Sequence, residues 1–394
     1  MFSVISNLKA VSMRIFVVLA GLILAACQPV TLGGATGGGP KVDTSAPVQV
    51  ALLVPGGSQN AGDALLAKNL ENAARLAITD LDGAQIDLRV YNTAGQAGTA
   101  AQVAKQAVAE GAKIIVGPLY GEAANAAGLA VAGDKINVMA FSNNSAIAGG
   151  NVFILGNTFQ NTANRLVRYA KSKGKSKVLV VHSSNTAGLA GRDAITSAVS
   201  AAGSTLAGTA AYEFSQTGVV NAVPRIASQA RSSGADAIFF TSNTAGALPL
   251  LAQLLPENGV KPGNTQFMGL TRWDIPAATL DLPGVQGGWF TLADPALVAQ
   301  FRSRYQAAYG EPPHPLAGLS YDGIAAIGAL LKAGKADALT ASALTQGSGF
   351  VGTNGVFRFR SNGTNQRGLA IAQIRDKKVV VIDAAPRSFG GAGF

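Results

Sequence analysis

The sequence predicts an α/β protein with two Rossmann-like lobes, each containing a parallel β-sheet. From residue 48 onward, short runs that are apolar throughout alternate with longer segments whose apolar residues recur every three or four positions. Strands that are apolar on both faces are typical of parallel sheets covered by helices on either side. After an N-terminal leader, about 350 residues remain, more than one hydrophobic core generally supports.

The first strand and helix series runs from residue 48 to residue 141. Leu66, Leu70 and Ala73 are spaced at three and four residues, which places them on one face of a helix. The series predicts strands at 48–54, 86–90, 114–116 and 138–141, and helices at 63–80, 99–109 and 122–132.

A second, similar series begins near residue 160, and its likeness to the first is what suggests two lobes. It predicts helices at 160–172, 190–202, 218–233 and 245–255, and strands at 178–181, 205–212, 237–240 and 266–268. After Pro283 the rhythm changes. The last part predicts helices at 295–309 and 317–333, and strands at 287–290, 356–359, 369–374 and 379–382.

The first 26 residues have the pattern of an export signal. Lys9 and Arg14 precede a short apolar run at 15–24. This run is far shorter than the roughly 20 residues that a membrane-spanning helix needs. We therefore expect residues 1–26 to be a cleavable signal peptide, with either Met1 or Met13 as the true start.

Cys27 is the only cysteine in the chain, so no intramolecular disulfide is expected. Leu24-Ala25-Ala26-Cys27 resembles the bacterial lipobox, which implies that Cys27 is lipidated and anchors the protein to a membrane. The alternative is a chance cysteine at an ordinary cleavage site. Gln28 in the next position implies the outer membrane, facing the periplasm. Residues 27–46 are rich in Gly, Pro, Thr and Ser and predict a flexible tether, and residues 386–394 predict a flexible tail.

The chain carries an excess of basic residues. Its formal net charge is +10, and loss of Lys9 and Arg14 with the signal lowers it to +8. A basic surface suits the anionic environment of a cell wall or lipid membrane. We do not expect nucleic acid as a partner of an exported protein.

Sequence motifs for catalysis are lacking. There is no Gly-x-Ser-x-Gly, His-Glu-x-x-His or Cys-x-x-Cys motif. His182 and His314 are the only histidines, which disfavours a histidine-built metal site. We therefore expect a protein that is not an enzyme and uses neither cofactor nor metal.

Polar loops follow the predicted strands, where open α/β sheets bind their ligands. We predict that a small polar ligand is bound by side chains from these loops: Ser58, Tyr120, Ser142 and Asn143 from the first series, and Asn185, Asn243, Arg272 and Trp273 from the second. The alternative for any such loop is ordinary helix capping, which also favours Ser, Thr and Asn.

Three of these residues have specific expected roles. Arg272 could grip a carboxylate through two parallel hydrogen bonds, although a surface arginine is an equal alternative. Tyr120 is expected to stack on the ligand or to form a hydrogen bond with it. Trp273 is expected to form an apolar wall of the site.

Several segments, taken in order, resemble the type I periplasmic binding proteins, the leucine-binding-protein family, over residues 48–384. They are Val50-Ala51-Leu52-Leu53-Val54-Pro55, Ile115-Val116-Gly117-Pro118, Val138 to Ser145, Tyr321-Asp322, and Gly352 to Phe359 followed by Asn362-Gly363. The resemblance implies two lobes joined by three crossovers, with the ligand in the cleft between them. It also implies that lobe one comprises 47–157 plus 284–346, and lobe two 158–283 plus 347–385.

The chain departs from the amino-acid-binding members of that family. Those members carry a serine after the Gly-Pro loop, where this chain has Leu119-Tyr120-Gly121-Glu122. The family's acidic-plus-glycine signature is replaced by His182-Ser183-Ser184-Asn185. With the lipobox and tether, the chain therefore resembles the penicillin-binding protein activator lipoproteins, which implies a non-catalytic activator of peptidoglycan synthases. The alternative is a lipid-anchored receptor of an ABC importer, bound to its permease and specific for an amino acid or small amide.

Overall fold

The computed structural model describes residues 38–390. The predicted signal peptide, Cys27, most of the predicted tether and the last four residues lie outside this range. The strands are β1 (Val48–Val54), β2 (Ile86–Asn92), β3 (Ile114–Val116), β4 (Val138–Ala140), β5 (Val152–Ile154), β6 (Lys177–Ser183), β7 (Thr205–Tyr212), β8 (Ala237–Phe240), β9 (Gln266–Gly269), β10 (Trp289–Leu292), β11 (Phe350–Gly352), β12 (Gly355–Phe359), β13 (Asn365–Arg367), β14 (Ala370–Arg375) and β15 (Lys378–Asp383).

Helices alternate with most of these strands. They are α1 (Asp63–Thr79), α2 (Ala97–Ala109), α3 (Gly121–Val131), α4 (Phe159–Ser172), α5 (Thr186–Ala201), α6 (Gln216–Ser232), α7 (Leu248–Glu257), α8 (Pro295–Tyr309), α9 (Ala317–Lys332) and α10 (Ala341–Leu344). None of the helices between residues 38 and 390 is long and apolar enough to cross a membrane.

The first sheet is entirely parallel, in the order β2-β1-β3-β4-β5. Successive side chains of β1 point to opposite faces, because side chains alternate along a strand. Val50 and Leu52 pack with α1 and α9 on one face, whereas Ala51 and Leu53 pack with α2 and α3 on the other. Burial on both faces explains why these strands are apolar throughout.

The second sheet has seven strands in the order β15-β14-β10-β9-β8-β6-β7. Strands β6 to β10 are parallel to one another, while β14 and β15 form an antiparallel edge. This sheet is also buried on both faces. Leu179 and Val181 of β6 face α6 and α7, and Val178 and Val180 face α4 and α5.

A small antiparallel sheet of β11, β12 and β13 packs against the first sheet. Phe350, Phe357 and Phe359 belong to the same buried core as β1, α1 and α9. The rings of Phe359 and Phe153 meet edge to face with their centroids 5.6 Å apart. The core therefore extends from the first sheet into this small sheet.

Two lobe boundaries differ from those that the sequence predicted. Strand β10 belongs to the second sheet, because it pairs with β9 and β14, whereas the prediction placed 284–346 in lobe one. Residues 350–367 belong to lobe one, because their phenylalanines fill its core, whereas the prediction placed them in lobe two. Below, lobe one denotes 38–154 with 295–367, and lobe two denotes 159–292 with 370–385.

The chain crosses between these lobes at 155–158, at 293–294 and at 368–369. Buried amides join the first and third crossings. Asn161 donates to Oδ1 of Asn365 at 2.6 Å, and Nδ2 of Asn365 donates to the carbonyl oxygens of Ile154 and Gly156 at 2.6 and 2.8 Å. Nε of Arg165 donates to the carbonyl oxygen of Leu369 at 2.7 Å. Hydrogen bonds therefore connect the two lobes at these crossings, which together form the hinge.

Candidate functional site: the cleft between the lobes

A cleft of about 780 Å³ lies between the two lobes. This volume falls within the range of roughly 300–1,000 Å³ that is usual for small-molecule sites. Its walls come from the loops after β3, β4 and β9 and from the crossings. The residues that define it include Tyr120, Ser142, Asn143, Leu316 and Leu319 from lobe one, Phe159, Leu270, Thr271 and Arg272 from lobe two, and Arg367 and Leu369 beside the hinge.

The start of helix α3 opens into this cleft at Gly121. The first N–H groups of a helix have no partner within the helix and carry its positive dipole end. Among the described residues, no side chain caps this terminus. Gly121 also lies beside Ser142, because a Cβ atom at position 121 would be 3.5 Å from the Ser142 hydroxyl oxygen. Free N–H groups and a hydroxyl in one place suit a carboxylate or another small anion.

Ser142 and Asn143 line the cleft, where the sequence predicted ligand contacts. Ser142 is buried, and its hydroxyl oxygen accepts the N–H of Asn144 at 3.1 Å. Because the Ser142 oxygen is the acceptor in this bond, its hydroxyl proton remains free to be donated to another group. Asn143 is exposed toward solvent in the cleft. Both side chains can therefore offer hydrogen bonds to a bound molecule.

Tyr120 presents its ring to the cleft and its hydroxyl to Asp63. The hydroxyl donates to Oδ1 of Asp63 at 2.7 Å, and this bond raises the pKa of Tyr120. Burial favours protonation of Asp63, but hydrogen bonds from Ser58, Tyr120 and Asn60 outweigh burial and lower its pKa. Asp63 therefore stays ionised and fixes the Tyr120 ring against the cleft wall.

Ser58 does not line the cleft, contrary to the prediction from sequence. Its side chain instead forms a hydrogen bond with Asp63, and its oxygen accepts the N–H of Asn60 at 3.1 Å. The loop after β1 turns toward the start of α1, where Asp63 lies. Ser58 therefore supports the carboxylate that positions Tyr120.

Arg272 lines the lobe-two wall, as the sequence predicted for this residue. Its Nε donates to Oδ1 of Asp274 at 2.9 Å, and its Nη2 donates to Oδ2 of the same carboxylate. This two-bond pair fixes the plane of the guanidinium. The side chain remains 48% exposed, so its Nη1 edge is available to a ligand.

Trp273 does not form a wall of the cleft. It is fully buried in the core of lobe two, with its ring centroid 6.2 Å from that of Phe240. Gly269 and Gly288 leave the space that the indole fills, because a Cβ atom at either position would come within 2.3 Å of it. Neighbouring Arg272 points outward instead. Phe159 and Leu270 supply the apolar surface that the sequence assigned to Trp273.

Asn185 and Asn243 also lie outside the cleft lining. Asn185 is the N-cap of α5, and its Oδ1 accepts the N–H of Gly188 at 2.8 Å. Asn243 is exposed, and its backbone oxygen accepts the N–H of Gly246 at 3.2 Å. For these two residues the structure favours the local turn and capping roles over ligand contact.

Arg367 and Asn354 contribute to the cleft but were missed from the sequence. Arg367 forms a buried ion pair with Asp322, in which Nη1 is 3.2 Å from Oδ2. Its Nε also donates to the carbonyl oxygen of Leu155 at 2.9 Å. Burial raises the pKa of Asp322, against the opposing effects of Arg367 and Thr353. In the sequence, only the Tyr321-Asp322 pair and the residues after Asn362-Gly363 could have pointed to this part of the cleft.

Between residues 38 and 390, no group of three or more His, Cys, Asp or Glu side chains is placed to hold a metal ion. Nδ1 of His182 lies 2.9 Å from the backbone oxygen of Ser183. The hydroxyl of Ser183 donates to Oδ1 of Asn185 at 2.7 Å instead of to the imidazole.

The chain belongs to the Periplasmic binding protein family, whose model matches residues 47–378. The match agrees with the two-lobed fold and the cleft. Members of the family bind ligands and are not enzymes. Among curated proteins, none matches this sequence significantly.

Solved structures give the same fold. A Rhodospirillum rubrum protein assigned to a branched-chain amino acid ABC transporter superposes with a TM-score of 0.71 at 17% identity, covering 86% of this chain and 100% of that one. A Desulfitobacterium hafniense ABC transporter substrate-binding protein in complex with Leu superposes with a TM-score of 0.61 at 16% identity. That match covers 86% of this chain and 100% of the other. A Rhodopseudomonas palustris BisB5 solute-binding protein in complex with 3,4-dihydroxybenzoic acid superposes with a TM-score of 0.57 at 18% identity. That match covers 87% of this chain and 97% of the other. At these identities the similarity shows the fold alone.

Proposed function

We propose that this protein is a solute-binding protein that captures a small carboxylate with an apolar body and presents it to the permease of an ABC importer. The observation that carries this proposal is the composition of the cleft. The uncapped start of α3, Ser142 and Arg272 supply donors for an anionic group. Leu319, Phe159 and Leu270 supply apolar surface for the rest of the molecule.

The ligands of the two complexes support this class of molecule. Leucine and 3,4-dihydroxybenzoic acid differ in size and polarity, but each carries a carboxylate beside an apolar group. Glu122 is the acidic side chain of the cleft lining; it is exposed and forms no ion pair within residues 38–390. Glu122 could accept the ammonium group of an amino acid, so amino acids and aromatic acids are both within this class.

A thermal-shift screen tests the proposal. Any ligand that binds only the folded protein raises its melting temperature with concentration. We expect a saturable shift with leucine, benzoate or 3,4-dihydroxybenzoate, and a much smaller shift with the matched neutral amide, leucinamide or benzamide. If the neutral amides stabilise the protein as well as the acids do, or if no member of either set does, the proposed class is wrong.

Activation of a peptidoglycan synthase is the second candidate function. It is supported by the lipobox-like Leu24-Ala25-Ala26-Cys27 and by Leu119-Tyr120-Gly121-Glu122 in place of the expected serine. The family match and the solved structures lend this function no support, and their named members favour solute binding. A pull-down of penicillin-binding proteins on the immobilised protein, combined with a ligand screen that finds no ligand, would favour the activator function.

Both candidate functions include a lipid anchor at Cys27 and a location in the periplasm. We expect Cys27→Ser to move the protein from the membrane fraction to the soluble periplasmic fraction, because acyl chains supply membrane affinity by burying methylene groups. Fractionation and immunoblotting measure this change, and Ser45→Ala serves as a control in the same region. A Cys27→Ser protein that stays in the membrane fraction would contradict the anchor.

A further inference from the structure

The strands of the second sheet begin at the edge opposite the cleft. Strands β6 to β10 are parallel, so their first residues share that edge, and antiparallel β14 ends and β15 starts there. Four segments at this edge carry all of its charges: 171–177, 231–236, 257–266 and 375–378. They contain nine basic and three acidic residues, so we name this edge the basic face.

Hydrogen bonds place the first three of these segments side by side. Both carboxylate oxygens of Asp236 accept backbone N–H groups, from Ser176 at 3.0 Å and from Lys177 at 2.9 Å. The backbone of Asp236 also donates to the carbonyl oxygen of Lys177 at 3.0 Å and accepts the N–H of Gln266 at 2.9 Å. The Asp236 carboxylate is therefore directed at the main chain, and it forms no ion pair with the lysines around it.

Aromatic rings connect this part of the face to the hairpin of β14 and β15. Nζ of Lys173 lies 5.2 Å from the ring centroid of Tyr169. The ring of Tyr169 in turn meets that of Trp289 edge to face, with centroids 5.0 Å apart. Trp289 begins β10 and pairs with Gln373, two residues before Arg375. The basic face is therefore continuous from α4 to the hairpin.

Most of these positive charges are not neutralised within residues 38–390. Lys377 is the only one of the nine that forms an ion pair there, with Asp281 at 3.3 Å. Lys171 and Arg231 donate to backbone oxygens that end α5 and α7, where a cation is favourable to the helix dipole. Capping does not account for four further lysines, whose side chains form neither an ion pair nor a hydrogen bond with the described residues: Lys175, Lys177, Lys261 and Lys378.

The corresponding edge of the first sheet has no such excess of positive charge. Five segments form it: 41–47, 80–85, 110–113, 132–137 and 332–337. Together they contain five basic and six acidic residues. The chain enters lobe one at this edge, where the N–H of Val42 donates to the carbonyl oxygen of Ala336 at 2.9 Å. An anchor at Cys27 would therefore hold the balanced edge toward the membrane and leave the basic face turned away from it.

We propose that the basic face binds peptidoglycan, the carboxylate-bearing polymer of the cell wall, and so docks lobe two on the wall. The ends of the seven strands, roughly 4.8 Å apart, make a face about 30 Å wide. A broad basic face attracts an extended polyanion, and none of its lysines or arginines lines the cleft. The inference uses the periplasmic location that the family indicates and is independent of the ligand in the cleft.

Co-sedimentation with insoluble peptidoglycan sacculi tests this interaction. The protein carries Cys27→Ser, so that no acyl chain takes part. We expect saturable binding that weakens as salt is added, because exposed charges are screened. Combining Lys175→Gln, Lys261→Gln and Lys378→Gln should weaken binding at least about tenfold, because each lysine contributes separately to attraction by an anionic surface.

A matched control removes three exposed basic residues of lobe one through Lys68→Gln, Lys105→Gln and Arg302→Gln. Its net charge equals that of the first triple variant, but its binding to sacculi should change by less than about twofold. Both variants should keep the wild-type affinity for the cleft ligand, so failure here is distinct from failure of the proposed function. Equal binding of sacculi by the two variants, or no binding by the wild type, overturns the proposal.

Two further arms identify the partner. Sacculi whose carboxylates have been converted to amides should no longer bind the protein, and undiminished binding to them would overturn the proposal. Phosphatidylglycerol vesicles test a lipid bilayer as the alternative partner. If the vesicles bind through Lys175, Lys261 and Lys378 while sacculi do not bind, the basic face recognises a bilayer and the assignment to peptidoglycan is wrong.

Discussion

At the scale of single residues, the cleft depends on side chains that are held by neighbours behind it. Tyr120 contacts the cleft with its ring, but its orientation is fixed by Asp63, which Ser58 and Asn60 also support. Arg272 is held in plane by Asp274. Such support reduces the side-chain freedom that a ligand would otherwise have to restrict on binding.

The Tyr120→Phe substitution tests the role of Asp63. Without the hydroxyl, we expect the pKa of Asp63 to rise and the free energy of unfolding at neutral pH to fall by about 1 kcal/mol. Because the folded-state pKa is below the ordinary value of 3.8, Asp63 stabilises the fold above that pH, and this contribution disappears as the pH falls through the folded-state pKa. On acidification, the Tyr120→Phe variant should therefore lose less stability than the wild-type protein.

Carbon-detected NMR titration of the Asp63 carboxyl, together with urea unfolding at neutral and acidic pH, measures both effects. Tyr309→Phe is a suitable control, because the Tyr309 hydroxyl donates to a backbone oxygen and not to a carboxylate. An identical carboxyl titration in the wild type and in Tyr120→Phe would show that the hydroxyl does not govern Asp63.

The Arg272→Ala substitution tests the predicted carboxylate contact. We expect the affinity for an acidic ligand to fall at least about tenfold, because a charge-assisted hydrogen bond is lost from a partly desolvated site. Affinity for a neutral amide should change little. Calorimetry measures both ligands, with exposed Arg302→Ala as the control for net charge. Unchanged affinity of the Arg272→Ala variant for the acid would show that Arg272 does not contact the ligand.

At the scale of secondary-structure elements, β13 is attached to lobe one by a buried ion pair. Arg367 of β13 reaches Asp322 of α9, and both side chains are at most 4% exposed. The same carboxylate accepts the N–H of Thr353 at 2.6 Å and its hydroxyl at 3.0 Å. A helix, a strand and the turn between β11 and β12 therefore meet at the Asp322 carboxylate beneath the cleft.

The Asp322→Asn substitution tests this junction. It leaves the Arg367 guanidinium buried without a counter-charge, so we expect the free energy of unfolding to fall by about 3–5 kcal/mol. The matched control is Asp82→Asn, which breaks the exposed pair of Asp82 with Lys332 and should change stability far less, because both charges stay in water. Urea unfolding compares the two, and a loss of similar size in both would contradict a special role for Asp322.

The longer elements of this fold had the clearest signals in the sequence, although the three-residue strands β3 and β4 were also predicted. Helix α1 spans several turns, so its spacing of apolar residues is distinct, and β1 is a seven-residue apolar run. Strands β5, β11 and β13 have three residues each, which is too short for any period to be recognised. Strand β10 was recognised near its true position, but its pairing with β9 and β14 depends on distant residues that carry no local signal.

At the scale of the whole molecule, the sequence predicted the two lobes and the cleft but only part of its lining. Tyr120, Ser142, Asn143 and Arg272 lie in the cleft, because they follow strands whose carboxyl ends face it. Trp273 adjoins Arg272 in sequence yet faces the core of lobe two. Which of two neighbouring side chains points outward depends on loop geometry, and Gly269 and Gly288 decide it here by making room for the indole.

We infer that a small carboxylate binds at the start of α3 between the lobes, and the Gly121→Leu substitution is the sharpest test of this claim. Gly121 lies on the cleft wall beside Ser142 and Asn144, so a leucine there would fill the space and cover the helix terminus. In a calorimetric titration with the best acid from the ligand screen, we expect one ligand to bind each wild-type molecule and none to bind Gly121→Leu, while both proteins unfold cooperatively. Equal affinity in the two proteins would contradict the claim.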